Sequence, residues 1–363
     1  MSKKLVVLFL TFAIFIMLAS GIYVVGGTLA YMRYQQEDIA AQAYCDGQTP
    51  VRICVHAPKS IFSAFYRSYM STQYSLFSVD YSSSSPKTLL ISIAIKGFSQ
   101  SQVQTVTATG NTQTRSFIPP MQDQALQMLT TDKQTAVDVH VTDTQGQPFY
   151  VQDVPVTLYS RWLMRWLPAN HLQIAAWVTP DDPAVAQLVS KARTHLAEQE
   201  APVPRALIGY LSASPQQVVD QVDAIYDTLR LNYQMHYVQE DIPYGSGSVG
   251  DNLNQNIRLP AEILQEHSGM CIELTNLLAS AVERIGLHAE IVIIPGHAFL
   301  GVATTRDNKS FEYWDAVDMN NNIAADSANV HADAVYRQHA RAHTLVETIL
   351  VSDARNAHVG PML

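Results

Sequence analysis

From Leu5 to Met32 the chain reads LVVLFLTFAIFIMLASGIYVVGGTLAYM, without one charged residue. At about 1.5 Å per residue, a helix of this length crosses a hydrocarbon core ~30 Å thick. A cleavable signal peptide has a shorter apolar region, of roughly 7–15 residues. The run therefore predicts a single transmembrane helix, a signal anchor over residues 1–33. Cleavage near Ala19-Ser20-Gly21 is the rival reading. Lys3 and Lys4 precede the run, whereas Arg33 is followed by Glu37 and Asp38. The positive-inside rule then puts the N-terminus in the cytoplasm and the bulk of the chain in the periplasm or an equivalent space, with the membrane as a partner.

That compartment gives the three cysteines different meanings. Cys45 and Cys54 flank an Asp46-Gly47 turn signal in YCDGQTPVRIC. In an oxidising space they are expected to form a local disulfide, worth about 2–3 kcal/mol by chain-entropy arithmetic. Two unpaired thiols are the alternative. Cys271 is left over, and an odd cysteine in an exported chain calls for a reason. Charge excludes one class of partner. With 23 Lys+Arg against 32 Asp+Glu and no basic block, the chain lacks the clustered cations that phosphate neutralisation requires, so no nucleic acid is expected. Hydrophobic residues are 47% of its 363, enough to build real cores rather than a disordered chain.

The organisation beyond the anchor predicts an α+β protein in two parts. Tyr34 to Tyr44 is polar and reads as a helical extension or stalk. Thr88–Ile95, Val103–Thr109, Ala136–Val141 and Val154–Tyr159 alternate or are rich in branched residues, and Gly97, Gly110-Asn111, Pro119-Pro120 and Gly146 separate them. Short strands with such breaks predict an antiparallel, Ig-like β-sandwich within residues 34–200. A helix is expected after Asp181-Asp182-Pro183. The linker-like EQEAPVP (198–204) follows, and another amphipathic helix starts at Ser214-Pro215. Residues 201–363 are expected to form the second domain.

The chemistry concentrates there. Leu274, Leu277, Leu278, Ala281, Val282 and Ile285 make an apolar stripe at helical spacing, closed by Gly286. Cys271 falls in the first turn, where the macrodipole and free N–H groups favour a thiolate and can hold a developing oxyanion. Glu290–Ile294 and Ala298–Ala303 read as strands around Pro295-Gly296-His297, and Phe311–Asp315 as a third. Cys271, His297 and Asp315 are thus a nucleophile, a base and an orienting acid on helix, strand and strand. Gln255, in the loop before the helix, is a candidate side-chain oxyanion donor, with a solvated loop glutamine as the alternative. The rival reading of Cys271 is an inert core thiol. His339 and His343 sit at i, i+4 in HARAH but lack an acidic partner at metalloprotease spacing, so no metal is expected.

A Gly-x-Cys opening a helix, a His beginning a strand after Gly, and an Asp on the next strand resemble the transglutaminase-like superfamily of papain-type cysteine enzymes. The likeness covers roughly residues 206–363. It is nearest to a group of bacterial exported proteins of poorly known function that carry Cys-Ile-acidic and Pro-Gly-His-Ala-Phe motifs, here Cys271-Ile272-Glu273 and Pro295–Phe299. Gln255–Pro260, Ala175–Pro180 and Ala354–Met362 are similar to that group as well. Two positions depart from it: Glu273 stands where Asp is usual, and Asp315 is followed by Ala316-Val317-Asp318 where the group has Glu followed by Thr. The acid is therefore Asp315 or Asp318. The resemblance implies a membrane-anchored thiol acyl-transfer enzyme, acting without a cofactor on protein or peptide amides as a peptidase, deamidase or transglutaminase. The alternative is a non-catalytic, membrane-tethered envelope module that binds peptides or a protein partner.

Overall fold

A computed structural model describes residues 42–46, 50–199, 206–211, 213–240 and 253–362. The N-terminal half supplies strands β1 (Gln42–Asp46), β2 (Val51–Ala57), β3 (Ser60–Phe62), β4 (Phe77–Ser83), β5 (Lys87–Ile95), β6 (Gln102–Ala108), β7 (Gln113–Phe117), β8 (Lys133–Thr142) and β9 (Pro148–Tyr159). They form one sheet in the order β1-β2-β4-β7 and another in the order β3-β9-β8-β5-β6. β3 runs parallel to β9, and the other neighbours are antiparallel. Alternation drives both sheets. Leu89, Ile91, Ile93 and Ile95 of β5, Val137, Val139 and Val141 of β8, and Val51, Ile53 and Val55 of β2 all point into one core. Each such side chain contributes roughly 1.5–3 kcal/mol of burial before entropy is counted. Cys45 and Cys54 face each other across the β1–β2 pair and are disulfide-bonded.

The second half begins with β10 (Leu163–Arg165), a 3₁₀ run (Pro168–Trp177) and helix α1 (Pro183–Gln199). Then come α2 (Pro215–Thr228), β11 (His236–Tyr237), β12 (Asn254–Asn256), α3 (Pro260–Glu266), β13 (Ser268–Gly269) and α4 (Cys271–Arg284). β14 (Ala289–Ile294), β15 (His297–Ala303), β16 (Phe311–Trp314), α5 (Ala325–Ala342), β17 (Glu347–Leu350) and α6 (Val351–Asn356) complete it. An antiparallel sheet, β16-β15-β14-β17, lies between α4 and α5. Ile291, Ile293, Leu300 and Val302 belong to the main core with α4, whereas Val292, Ile294, Phe299 and Tyr313 form a second core with Ala332 of α5. Burial on both faces explains why Ile291–Ile294 is apolar throughout rather than alternating. α1 packs on α2 and α4, so the main core runs continuously from the N-terminal sheets into the helical half.

Two expectations require correction. The fold is α+β with several sheets, but the transmembrane helix predicted at its start is not supported. No described helix is long and apolar enough to cross a membrane, and Leu5–Met32 lies outside the described residues. Charge keeps the described helices from being such spans. The longest, α5, carries Asp326, Asp333, Arg337 and Arg341 and is amphipathic. The stalk reading also ran to Tyr44, yet Tyr44 belongs to β1, where its backbone pairs with Val55. Residues 34–41 and most of the linker-like 198–204 stretch lie outside the described residues.

Candidate active site

The helix that carries Cys271 starts where it does because of a buried carboxylate. Met270 is extended (φ −73°, ψ 167°), and Glu273 Oε2 accepts a hydrogen bond from its N–H at 3.0 Å, capping the first turn. The Glu273 side chain is fully buried, and Arg258 compensates its charge. Glu273 Oε1 accepts from the Arg258 backbone N–H (2.7 Å) and from Nε (3.0 Å), and Oε2 accepts from Nη2 (2.7 Å). Arg258 also pairs with Glu266. Thr275 Oγ1 then donates to the carbonyls of Cys271 (2.7 Å) and Ala298 (3.2 Å), lashing the cysteine turn to the strand that begins with His297.

His297 follows a Pro295-Gly296 turn in which Gly296 has φ 72°, a conformation that glycine adopts without steric cost. β15 pairs with β16, so the end of β16 lies beside His297 and delivers Asp315. His297 Nε2 stands 2.7 Å from Asp315 Oδ2. Asp315 is itself fixed: Oδ1 accepts from the Val317 N–H at 3.0 Å, and its carbonyl accepts from the Tyr226 hydroxyl at 3.2 Å. Cys271 lies close enough to His297 to raise its pKa, and with Nε2 engaged by Asp315, Nδ1 is the ring nitrogen not taken by the carboxylate. Burial works against a charged imidazole here. The hydrogen bonds to Asp315 and Cys271, reinforced by their negative charges, nevertheless raise the His297 pKa to about 10. Cys271 is 1% exposed, while the His297 side chain is 23% exposed.

The three residues expected on helix, strand and strand therefore come together. Asp318 does not join them: its Oδ2 lies 2.8 Å from Nδ1 of His331 on α5. Gln255 is not a solvated loop residue. It is buried in β12, its Oε1 accepts from Trp166 Nε1 at 2.8 Å, and its Nε2 lies 3.4 Å from Met270 Sδ. Trp314 is core, with its indole N–H donated to Asp223 Oδ1 at 2.8 Å, and burial pushes the Asp223 carboxyl up to about 7. His339 and His343 lie at the C-terminal end of α5.

Sequence reasoning missed three neighbours of the site. Tyr237 lies on β11, parallel to the Ser268–Gly269 strand that leads into Cys271. Burial and then the negative charges of Cys271 and Asp315 raise its pKa. His331 has its pKa raised by its hydrogen bond to Asp318. Trp166 donates to Gln255 from a segment far upstream. None of the three carries a motif; the spacing of Trp162, Trp166 and Trp177 in RWLMRWLPAN and its continuation was the available signal. No protein-family model matches the chain, and no curated protein matches it.

Proposed function

We propose that the chain is a cysteine-dependent acyl-transfer enzyme of transglutaminase-like, papain-type design that acts on protein or peptide amides. One observation carries the reading: a half-buried imidazole that meets a carboxylate at 2.7 Å and lies beside a cysteine at a helix start. Cys271 Sγ attacks the amide carbonyl carbon. His297 passes its proton to the leaving amine as the C–N bond breaks, and Asp315 holds the ring and offsets its charge. First-turn N–H groups of α4, which have no intrahelical acceptors, and the Gln255 amide, whose Nε2 lies 3.4 Å from Met270 Sδ, are the donors available to the oxygen that becomes negative. Water or an amine then takes the acyl group, giving hydrolysis, deamidation or cross-linking. The Cys45–Cys54 disulfide supports an extracytoplasmic setting.

A rival reading has one observation in its favour. At 1% exposure Cys271 is buried deeply enough for a core thiol in a module that only binds peptides or an envelope partner. Iodoacetamide labelling of the full chain across pH separates the two. His297→Ala is expected to slow alkylation of Cys271 at least about tenfold, because the imidazole that takes the thiol proton is gone. Superimposable rate profiles for the two proteins would sink the enzyme reading and leave the binding module.

A further inference from the structure

Building on the acyl-transfer reading, we propose that Trp166 is a positioning residue of the site: its indole fixes the Gln255 amide with the NH₂ end toward the start of α4. A carboxamide is nearly symmetric in shape and turns over by rotation about its last bond, so its donor end needs something to define it. An indole N–H can only donate. The 2.8 Å contact from Trp166 Nε1 therefore holds Oε1 on the Trp166 side. Nε2 is left facing Met270, the residue before Cys271, at 3.4 Å from its sulfur. Turning the amide over would set two donors against each other in a place where both side chains are buried.

The backbone is fixed by the same upstream segment. Met164 pairs opposite Gln255 in the β10–β12 ladder, the Trp166 N–H donates to the Leu253 carbonyl at 2.8 Å, and the Ile257 N–H donates to the Trp162 carbonyl at 2.7 Å. Both the position of the Gln255 backbone and the orientation of its amide thus come from residues 162–166, which lie outside the part of the chain that carries the cysteine, histidine and aspartate.

The test compares two reagents on the full chain. With p-nitrophenyl acetate, the Cys271 thiolate forms an S–C bond, the carbonyl π pair moves onto oxygen, and its return expels p-nitrophenolate to leave an acetyl thioester. With iodoacetamide, the S–C bond forms as iodide leaves, and no oxygen becomes negative. Trp166→Phe is expected to slow the p-nitrophenolate burst about tenfold or more while leaving alkylation within about twofold, since only the first reaction uses an oxyanion donor. On a Gln255→Ala background, where no amide remains to orient, Trp166→Phe is expected to add no further loss. Trp166→His keeps a ring N–H and supplies the comparison if the phenylalanine variant does not fold; any loss it causes must also vanish on the Gln255→Ala background. Equal slowing of both reagents, or an undiminished loss without Gln255, overturns the positioning role. A wild-type chain that alkylates at Cys271 yet gives no burst overturns the acyl-transfer reading first, and this one with it.

Discussion

His297 gains a partner on each side when the chain folds, and both partners favour its charged form. The sign of the resulting pH dependence follows. Its pKa rises from the ordinary value of about 6.5 to about 10. The stabilisation is fully present below the ordinary value and is lost as pH rises toward and through the folded one. Between pH 7 and 10, wild type is therefore expected to lose melting temperature more steeply than Asp315→Asn, in which the charge opposite the ring is gone. The difference between the two curves isolates this group from other titrations. The His297 ring resonances of Asp315→Asn are expected to titrate nearer the ordinary value by NMR. Asp318→Asn should leave His297 where it is and lower the titration of His331, whose hydrogen bond it removes. An unchanged His297 in Asp315→Asn would show that Asp315 does not hold it.

At the scale of elements, the Glu273–Arg258 pair carries the largest local stake. Arg258→Met leaves the fully buried Glu273 carboxylate without its partner, whereas in Glu273→Gln the partly exposed Arg258 keeps Glu266. A loss of about 3–5 kcal/mol is expected for Arg258→Met and a smaller one for Glu273→Gln, read as a lower urea midpoint at unchanged slope. Four segments singled out in the sequence by resemblance meet in pairs in the fold. Gln255–Pro260 and Cys271–Glu273 are joined by the Arg258–Glu273 ion pair. Ala175–Pro180 and Ala354–Met362 are joined by contacts to backbone carbonyls. Arg355 donates to the carbonyls of Ala175 (3.1 Å) and Val178 (2.7 Å), and the Met362 N–H donates to Ala176 O (2.8 Å). The long periodic elements, α2, α4, β5 and β8, were readable from alternation or helical spacing alone. β10, β11, β12 and β13 were not, because strands of two or three residues have no period and exist only through partners distant in sequence. The acid of the site was ambiguous for a related reason. Asp315 and Asp318 differ only in which histidine the fold brings to each.

Across the whole molecule, the N-terminal sheets and the site are joined by a dense seam. Arg161 and Trp162 both donate to Glu262, Trp177 Nε1 donates to the Ile257 carbonyl at 2.7 Å, and the Thr179 N–H donates to Ser280 Oγ at 2.9 Å. A chain beginning at residue 206 would lose all of these together with α1, and is expected to show no cooperative thermal transition by circular dichroism. A sharp transition with a reactive Cys271 would refute that dependence. The disulfide ties edge strand β1 to β2 in the N-terminal half. Its reduction is expected to cost about 2–3 kcal/mol and to make Cys45 and Cys54 alkylatable, while the Cys271 labelling rate stays unchanged. The distribution of indoles turns this seam into an optical probe. All four tryptophans, Trp162, Trp166, Trp177 and Trp314, lie in or beside the C-terminal half, and each donates its N–H to a partner there. Emission excited selectively at tryptophan therefore reports the C-terminal half and the seam, where Trp177 meets Phe65 edge-on, whereas ellipticity sums over every strand. If the two halves melt as one, the two signals trace a single curve. If the sheets unfold first, ellipticity changes ahead of the larger part of the indole emission.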